Sequence, residues 1–246
     1  MANRIFKHLQ FLPAAFVVLS AAVFGAAQQS SGTKVNIRPE AAAPAATPAP
    51  HKKSENDPAR FSYEFTKPEF YIRHIRIEHD ENGRGLIKFE RLHDETIYEE
   101  PLELSPAAWT RIAGLWQALR FLDSEENYQS DKQFAHLGTM RLKMERDARK
   151  RTAEFNWTNN KDAFALANEY RRLADQAILV FDISVARESQ PLNTPKLMEE
   201  IELQLKRNGL SDPHQLVPLL KDISTDEHLP LIARNHALRL IKKIEK

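Results

Sequence analysis

Residues 71–93, YIRHIRIEHDENGRGLIKFERLH, decide the fold because they contain two alternating apolar segments joined by a short polar loop. Ile75 and Ile77 alternate with charged residues before the loop, and Ile87 and Phe89 do so after it. Successive side chains of a strand point to opposite faces, so each segment predicts a strand with one apolar face. A three-residue loop ending in glycine places Ile77 beside Ile87 and Ile75 beside Phe89. We therefore predict an antiparallel hairpin.

The segments that follow this hairpin predict further strands and two helices. We place a third strand at 96–104, a helix after Ser105 and Pro106, a second hairpin at 139–157 and a second helix from Lys161. Ser and Pro are favoured at the N-cap and first position of a helix. Hairpins without crossovers predict an α+β fold, an antiparallel sheet of about five strands with helices packed on one face. We assign this domain to residues 60–188.

The C-terminal region, 194–246, is predicted to be helical, and it ends in two segments with helical periodicity. These are LVPLLKDIS at 216–224 and IARNHALRLIKKI at 232–244. Together they resemble the two helices of a HEAT repeat. The matching residues are Pro218, Leu219, Leu220, Asp222, Arg234, Ala237, Leu240 and Ile244. A single repeat cannot bury its apolar faces alone, so the resemblance implies a helical hairpin that docks on the α+β domain or on a partner.

The N-terminal segment has the composition of an export signal. Arg4 and Lys7 precede an apolar run at 11–27, which ends in small residues and is followed by polar ones. That order predicts a signal peptide, residues 1–27, cleaved after Ala27. The alternative is an uncleaved anchor in the inner membrane, which would be the chain's one membrane contact.

Residues 28–59 include AAAPAATPAP and few large apolar side chains, so we predict a disordered Pro/Ala-rich linker. The chain has no cysteine, which excludes disulfides, thiolate metal sites and cysteine nucleophiles. Small secreted eukaryotic domains usually rely on disulfides, so this composition favours a bacterial periplasmic or secreted protein. Its 35 basic and 34 acidic residues give no overall charge that would favour nucleic acid.

Two His-Asp-Glu triplets are the first candidates for a catalytic or metal site. They begin at His79 and His93, which lie at opposite ends of the predicted hairpin and about 20 Å apart. We interpret each triplet as a strand end that enters a polar turn. The sequence also has no G-x-S-x-G, Walker or G-x-G-x-x-G motif. We therefore predict no metal site and no cofactor.

A basic cluster in the second hairpin is the one candidate contact for a polyanion. Its members are Arg141, Lys143, Arg149 and Arg151. For an exported protein, an anionic polymer of the cell envelope fits such a cluster better than a specific nucleic acid.

These observations lead to two functional hypotheses. The first is an exported, non-catalytic binding or scaffold module whose partner is a protein or an envelope polymer. The alternative is an envelope hydrolase, which requires at least two candidate residues to meet in one cleft. Those candidates are His74, Glu90, His93, Asp94 and His136.

Overall fold

The computed structural model describes residues 58–246, so the predicted signal peptide and nearly all of the predicted linker lie outside the described residues. Within this range the strands are β1 (Arg60–Thr66), β2 (Ile72–Asp80), β3 (Arg84–Arg91), β4 (Ile97–Glu103), β5 (Thr139–Arg146) and β6 (Arg149–Phe155). The α-helices are α1 (Pro106–Ala118), α2 (Lys161–Ser189), α3 (Thr194–Lys206), α4 (Val217–Thr225) and α5 (Leu231–Ile244). None of these helices is both long and apolar enough to span a bilayer.

The strands form one antiparallel sheet in the order β4-β3-β2-β1-β5-β6. The predicted α+β class is confirmed, with six strands among the described residues instead of about five. The additional strand is β1, which pairs with β2 and β5 in the middle of the sheet. Phe61, Tyr63 and Phe65 are buried and alternate with polar residues along it, so the two-residue period that predicts β2 is also present here.

The β2–β3 hairpin has the expected register. Ile77 pairs with Ile87 and Ile75 pairs with Phe89, and three loop residues separate the two strands. The last loop residue, Gly83, has a φ of 74°, a left-handed conformation that glycine adopts without a steric cost. The alternation of apolar residues and the position of one glycine were therefore sufficient to fix this pairing.

Helices α1 and α2 cover one face of the sheet. Ile112 and Trp116 of α1 are buried there, and Tyr170 of α2 stacks on Tyr63 of β1 with ring centroids 5.2 Å apart. At the start of α1, the Ser105 hydroxyl accepts a hydrogen bond from a backbone N–H of the first turn, as an N-cap residue should. On the opposite face of the sheet, no helix of residues 58–246 packs, and charged side chains such as Glu64, Arg76 and Arg141 lie there.

Helix α2 also packs against the C-terminal helices. Its residues Leu179 and Ile183 belong to a second apolar cluster, together with Met198 of α3, Leu220 of α4 and Leu240 of α5. Helices α4 and α5 lie where the two periodic segments predicted helices. Their relation to HEAT repeats stays a prediction.

Gly85 and Gly114 provide a matched test of packing in this fold. A Cβ atom at Gly85 would lie 1.8 Å from the carbonyl oxygen of Glu78, whereas one at Gly114 would meet nothing within 4 Å. We expect Gly85→Ala to lower the free energy of unfolding by about 1–3 kcal/mol, because backbone atoms cannot easily move aside. Gly114→Ala should raise it by up to about 1 kcal/mol, because alanine favours the helix interior. Urea denaturation measures both changes, and an unaffected Gly85→Ala variant would contradict the β2–β3 pairing.

Candidate binding groove

A groove runs along the outer strand of the sheet, between β4 and α2, and is closed at one end by the turn that precedes α4. We call it the β4–α2 groove, and it has a volume of about 410 Å³. Its apolar floor consists of Leu102, Leu173, Ala177, Val180, Phe181 and Leu216. A concave, largely apolar surface with a few polar groups is the usual form of a binding site.

The sequence positions the groove walls through local rules. Leu102 is buried on the helix-facing side of β4, and Glu100 lies two residues earlier on the same side. The closed end is held by Gln215, whose side-chain amide donates to the carbonyl oxygen of Glu103 at 3.2 Å. Gln215 in turn accepts a hydrogen bond from the Gln176 amide of α2, so strand, helix and turn are connected.

The rim of the groove is negatively charged. Glu100, Glu103 and Glu188 line it, and no Lys, Arg or His does. Glu103 Oε1 lies 3.8 Å from Arg84 Nε, and both side chains are so exposed that this ion pair adds little to stability. Glu100 and Glu188 form no ion pair with any other residue of the described range. The groove therefore combines an apolar floor with two carboxylates that lack a counter-ion in 58–246.

An arginine surrounded by aromatic rings fixes α2 to the sheet beside the groove. The Arg91 guanidinium lies 5.3 to 5.7 Å from the ring centroids of Tyr71, Phe89, Tyr98 and Phe181. It also pairs with a carboxylate of α2, that of Asp182. Tyr71 precedes β2, Phe89 lies on β3 and Tyr98 lies on β4, whereas Phe181 and Asp182 belong to α2. Helix α2 is therefore held on the sheet by both charge and packing.

No protein-family model and no curated protein matches this chain. A fold alone does not imply an activity, so function follows from the chemistry of the surfaces. Among residues 58–246, no group of three or more His, Asp or Glu residues is arranged to hold a metal ion.

The open face of the sheet carries a histidine between two carboxylates. His74 Nδ1 lies 3.1 Å from Glu90 Oε1, and its Nε2 lies 3.1 Å from Glu64 Oε1. His74 therefore links β1, β2 and β3 through these two carboxylates, and both of its ring nitrogens are engaged within the protein.

Two of the five residues of the hydrolase hypothesis, His74 and Glu90, thus meet, but they do so on an open sheet surface. Asp94 instead accepts a hydrogen bond from a tyrosine of β4, and His136 contacts a phenylalanine ring of its own loop. Neither these two nor His93 contacts the His74–Glu90 pair in the part of the chain that the structure describes.

His79 lies at the end of β2 and next to the turn, as the interpretation of the first triplet predicts. Its side chain, however, is buried between the sheet and the helices. Nδ1 lies 2.8 Å from the carbonyl oxygen of Asp80, and Nε2 lies 2.8 Å from the Tyr170 hydroxyl. The same hydroxyl accepts a hydrogen bond from Trp116 Nε1. Burial lowers the pKa of His79. Its position two residues after Ile77 was the signal, since it shares the apolar face of β2.

The four cations of the predicted polyanion contact do not form one patch. Arg141 and Lys143 lie on the open face of the sheet, whereas Arg151 pairs with the buried Met144 and lies on the helix-facing side. Arg141, Lys143 and Arg149 each form ion pairs with carboxylates. Arg151 donates to backbone carbonyl oxygens. All four are engaged within the protein, and their contact with a polyanion stays a prediction.

The buried His79 gives a test through the pH dependence of stability. Its folded-state pKa lies below the usual 6.5, so the unfolded chain binds the proton more readily. The contribution of the neutral, buried His79 to the free energy of unfolding is complete above the unfolded-state pKa. It is lost as pH falls through the lowered folded-state pKa. We expect the wild-type free energy of unfolding to decrease from about pH 7 to about pH 5, and His79→Phe to show a smaller decrease. Urea titrations at several pH values measure this, with the exposed His214→Gln as control. Equal slopes for wild type and His79→Phe would contradict the assignment.

Proposed function

We propose that this protein is a non-catalytic binding or scaffold module of the bacterial cell envelope, and that its β4–α2 groove holds a segment of another protein chain. The observation that supports this most is the combination of an apolar floor with Glu100 and Glu188, which have no ion-pair partner among the described residues. A partner that covers the floor would stabilise the complex by about 25 cal/mol for each Å² of apolar area removed from water. Basic side chains of a partner would neutralise the two carboxylates.

The N-terminal residues support export as the route to that location. The basic start and the apolar run that ends at Ala27 are typical of a signal peptide, and the lack of cysteine fits a bacterial periplasm. Retention of this segment as an inner-membrane anchor is the alternative. With that anchor retained, residues 28–59 would separate the folded part from the membrane.

The polar side chains elsewhere favour a protein partner over a substrate or an anionic polymer. His74 and Glu90 face each other, and His79 lies within the core. The basic residues of the second hairpin already have partners, which reduces their availability to a polyanion. The hydrolase hypothesis would need one of the imidazoles to face a bound substrate.

Site-specific photo-crosslinking in the producing cells tests this proposal. A photoreactive residue at Val185, 40% exposed on the groove wall, should give a defined protein adduct, whereas one at the exposed Ile97 should not. Ser184→Arg should reduce the adduct at least about tenfold, because a long side chain fills the groove and pairs with Glu188 one turn later. Ser189→Arg, on the same helix but outside the lining, is the matched control.

Two results would contradict the proposal. One is an adduct that forms equally at Val185 and Ile97, or that Ser184→Arg does not reduce. The other is recovery of the adduct from the cytoplasmic fraction alone, which would exclude export.

A further inference from the structure

The outer face of α5 exposes three large apolar side chains. Leu231, Ile232 and Leu238 are 61%, 64% and 46% exposed. The inner face of the same helix is also apolar, with Ala237 and Leu240 buried against the neighbouring helices. A helix that is apolar on both faces is normally covered on both. Its outer face is therefore a candidate interface.

This face is also basic. Arg239 and Lys242 are exposed beside Leu238, and neither forms an ion pair within residues 58–246. Leu231, Leu238 and Lys242 fall on one side of the helix, and Ile232 and Arg239 lie next to them on the same exposed arc. The outer face of α5 thus presents apolar and positively charged groups together.

The β4–α2 groove has the complementary composition. Its floor is apolar, its rim carries the unpaired Glu100 and Glu188, and no basic residue lines it. The wall that α2 provides between Leu173 and Glu188 is about 22 Å long at 1.5 Å per residue. The exposed stretch of α5 from Leu231 to Lys242 is about 17 Å long on the same measure. Length, apolar character and charge all match.

We propose that the groove of one molecule binds helix α5 of a second copy of this chain, so that the molecules associate head to tail. This inference rests on the proposed binding role of the groove. Laying an amphipathic helix into an apolar groove is a common mode of recognition, and opposite charges at the rim fix its position.

Pairing of β4 with β4 of a second copy is disfavoured by the same residues. Glu99, Glu100 and Glu103 would face like charges across such a pair, and Pro101 has no N–H to donate. Helix α5 contributes no residue to the groove lining, so one molecule offers both surfaces at once. Contacts of this heterologous kind build rings or extended chains instead of closed two-fold dimers.

Sedimentation of the exported protein, purified from the producing cells, tests the proposal at concentrations up to about 200 μM, where complexes of micromolar Kd are populated. Wild type should self-associate, and raising NaCl from about 0.05 to 0.5 M should weaken the association. Glu188→Lys in the groove and Arg239→Glu on α5 should each weaken it at least about tenfold. A mixture of the two variants should regain association, because one unaltered groove then meets one unaltered helix.

Two variants with the same changes of charge serve as controls. Glu125→Lys and Lys196→Glu alter exposed residues outside both surfaces and should associate like wild type. The proposal is overturned if wild type is monomeric throughout, if the charge reversals associate like wild type, or if their mixture stays monomeric. A monomeric wild type that still gives a groove-specific adduct with a different protein would overturn self-association alone and leave the binding role standing.

Discussion

The structure depends on helix α2, because the same 29 residues pack against both the sheet and the C-terminal helices. Near its start Tyr170 lies on the central strand, and further along Ile183 lies in the C-terminal cluster. An unbroken helix of this length extends about 43 Å and bends little. The sheet and the C-terminal helices are therefore attached to one common element.

This shared helix explains why the groove is formed before any partner binds. One wall is α2, the other is β4, and the Arg91 contacts with aromatic rings and Asp182 hold the two together. The closed end is fixed by the Gln176–Gln215 hydrogen bond. A groove with fixed walls does not need to be ordered on binding, so little of the interaction free energy is lost.

Local pattern was enough to predict much of this fold. The register of β2 with β3, the start of α1 and the position of α4 and α5 all follow from apolar spacing, one glycine and helix-capping residues. The central position of β1 did not follow, because the pairing of a strand with β5, more than 70 residues away, depends on the whole sheet.

The candidate sites were harder to predict than the fold. His79 could have been assigned to the core from its spacing to Ile77, but its contact with Tyr170 spans 91 positions in sequence. The groove combines residues from β4, α2 and the turn before α4, which no sequence motif connects. Charge alone did not predict that the cations of the second hairpin are distributed over two faces and bonded within the protein.

Helix α2 unites the sheet and the C-terminal helices into one cooperative unit, so both parts should unfold in the same transition. All three tryptophans, Trp109, Trp116 and Trp157, lie in the sheet part, whereas much of the helical circular dichroism comes from α2 to α5. Urea curves from tryptophan fluorescence and from circular dichroism at 222 nm, the usual helical band, should then superimpose. Loss of the helical signal at a clearly different urea concentration from the fluorescence change would show that the two parts unfold separately and would contradict the account.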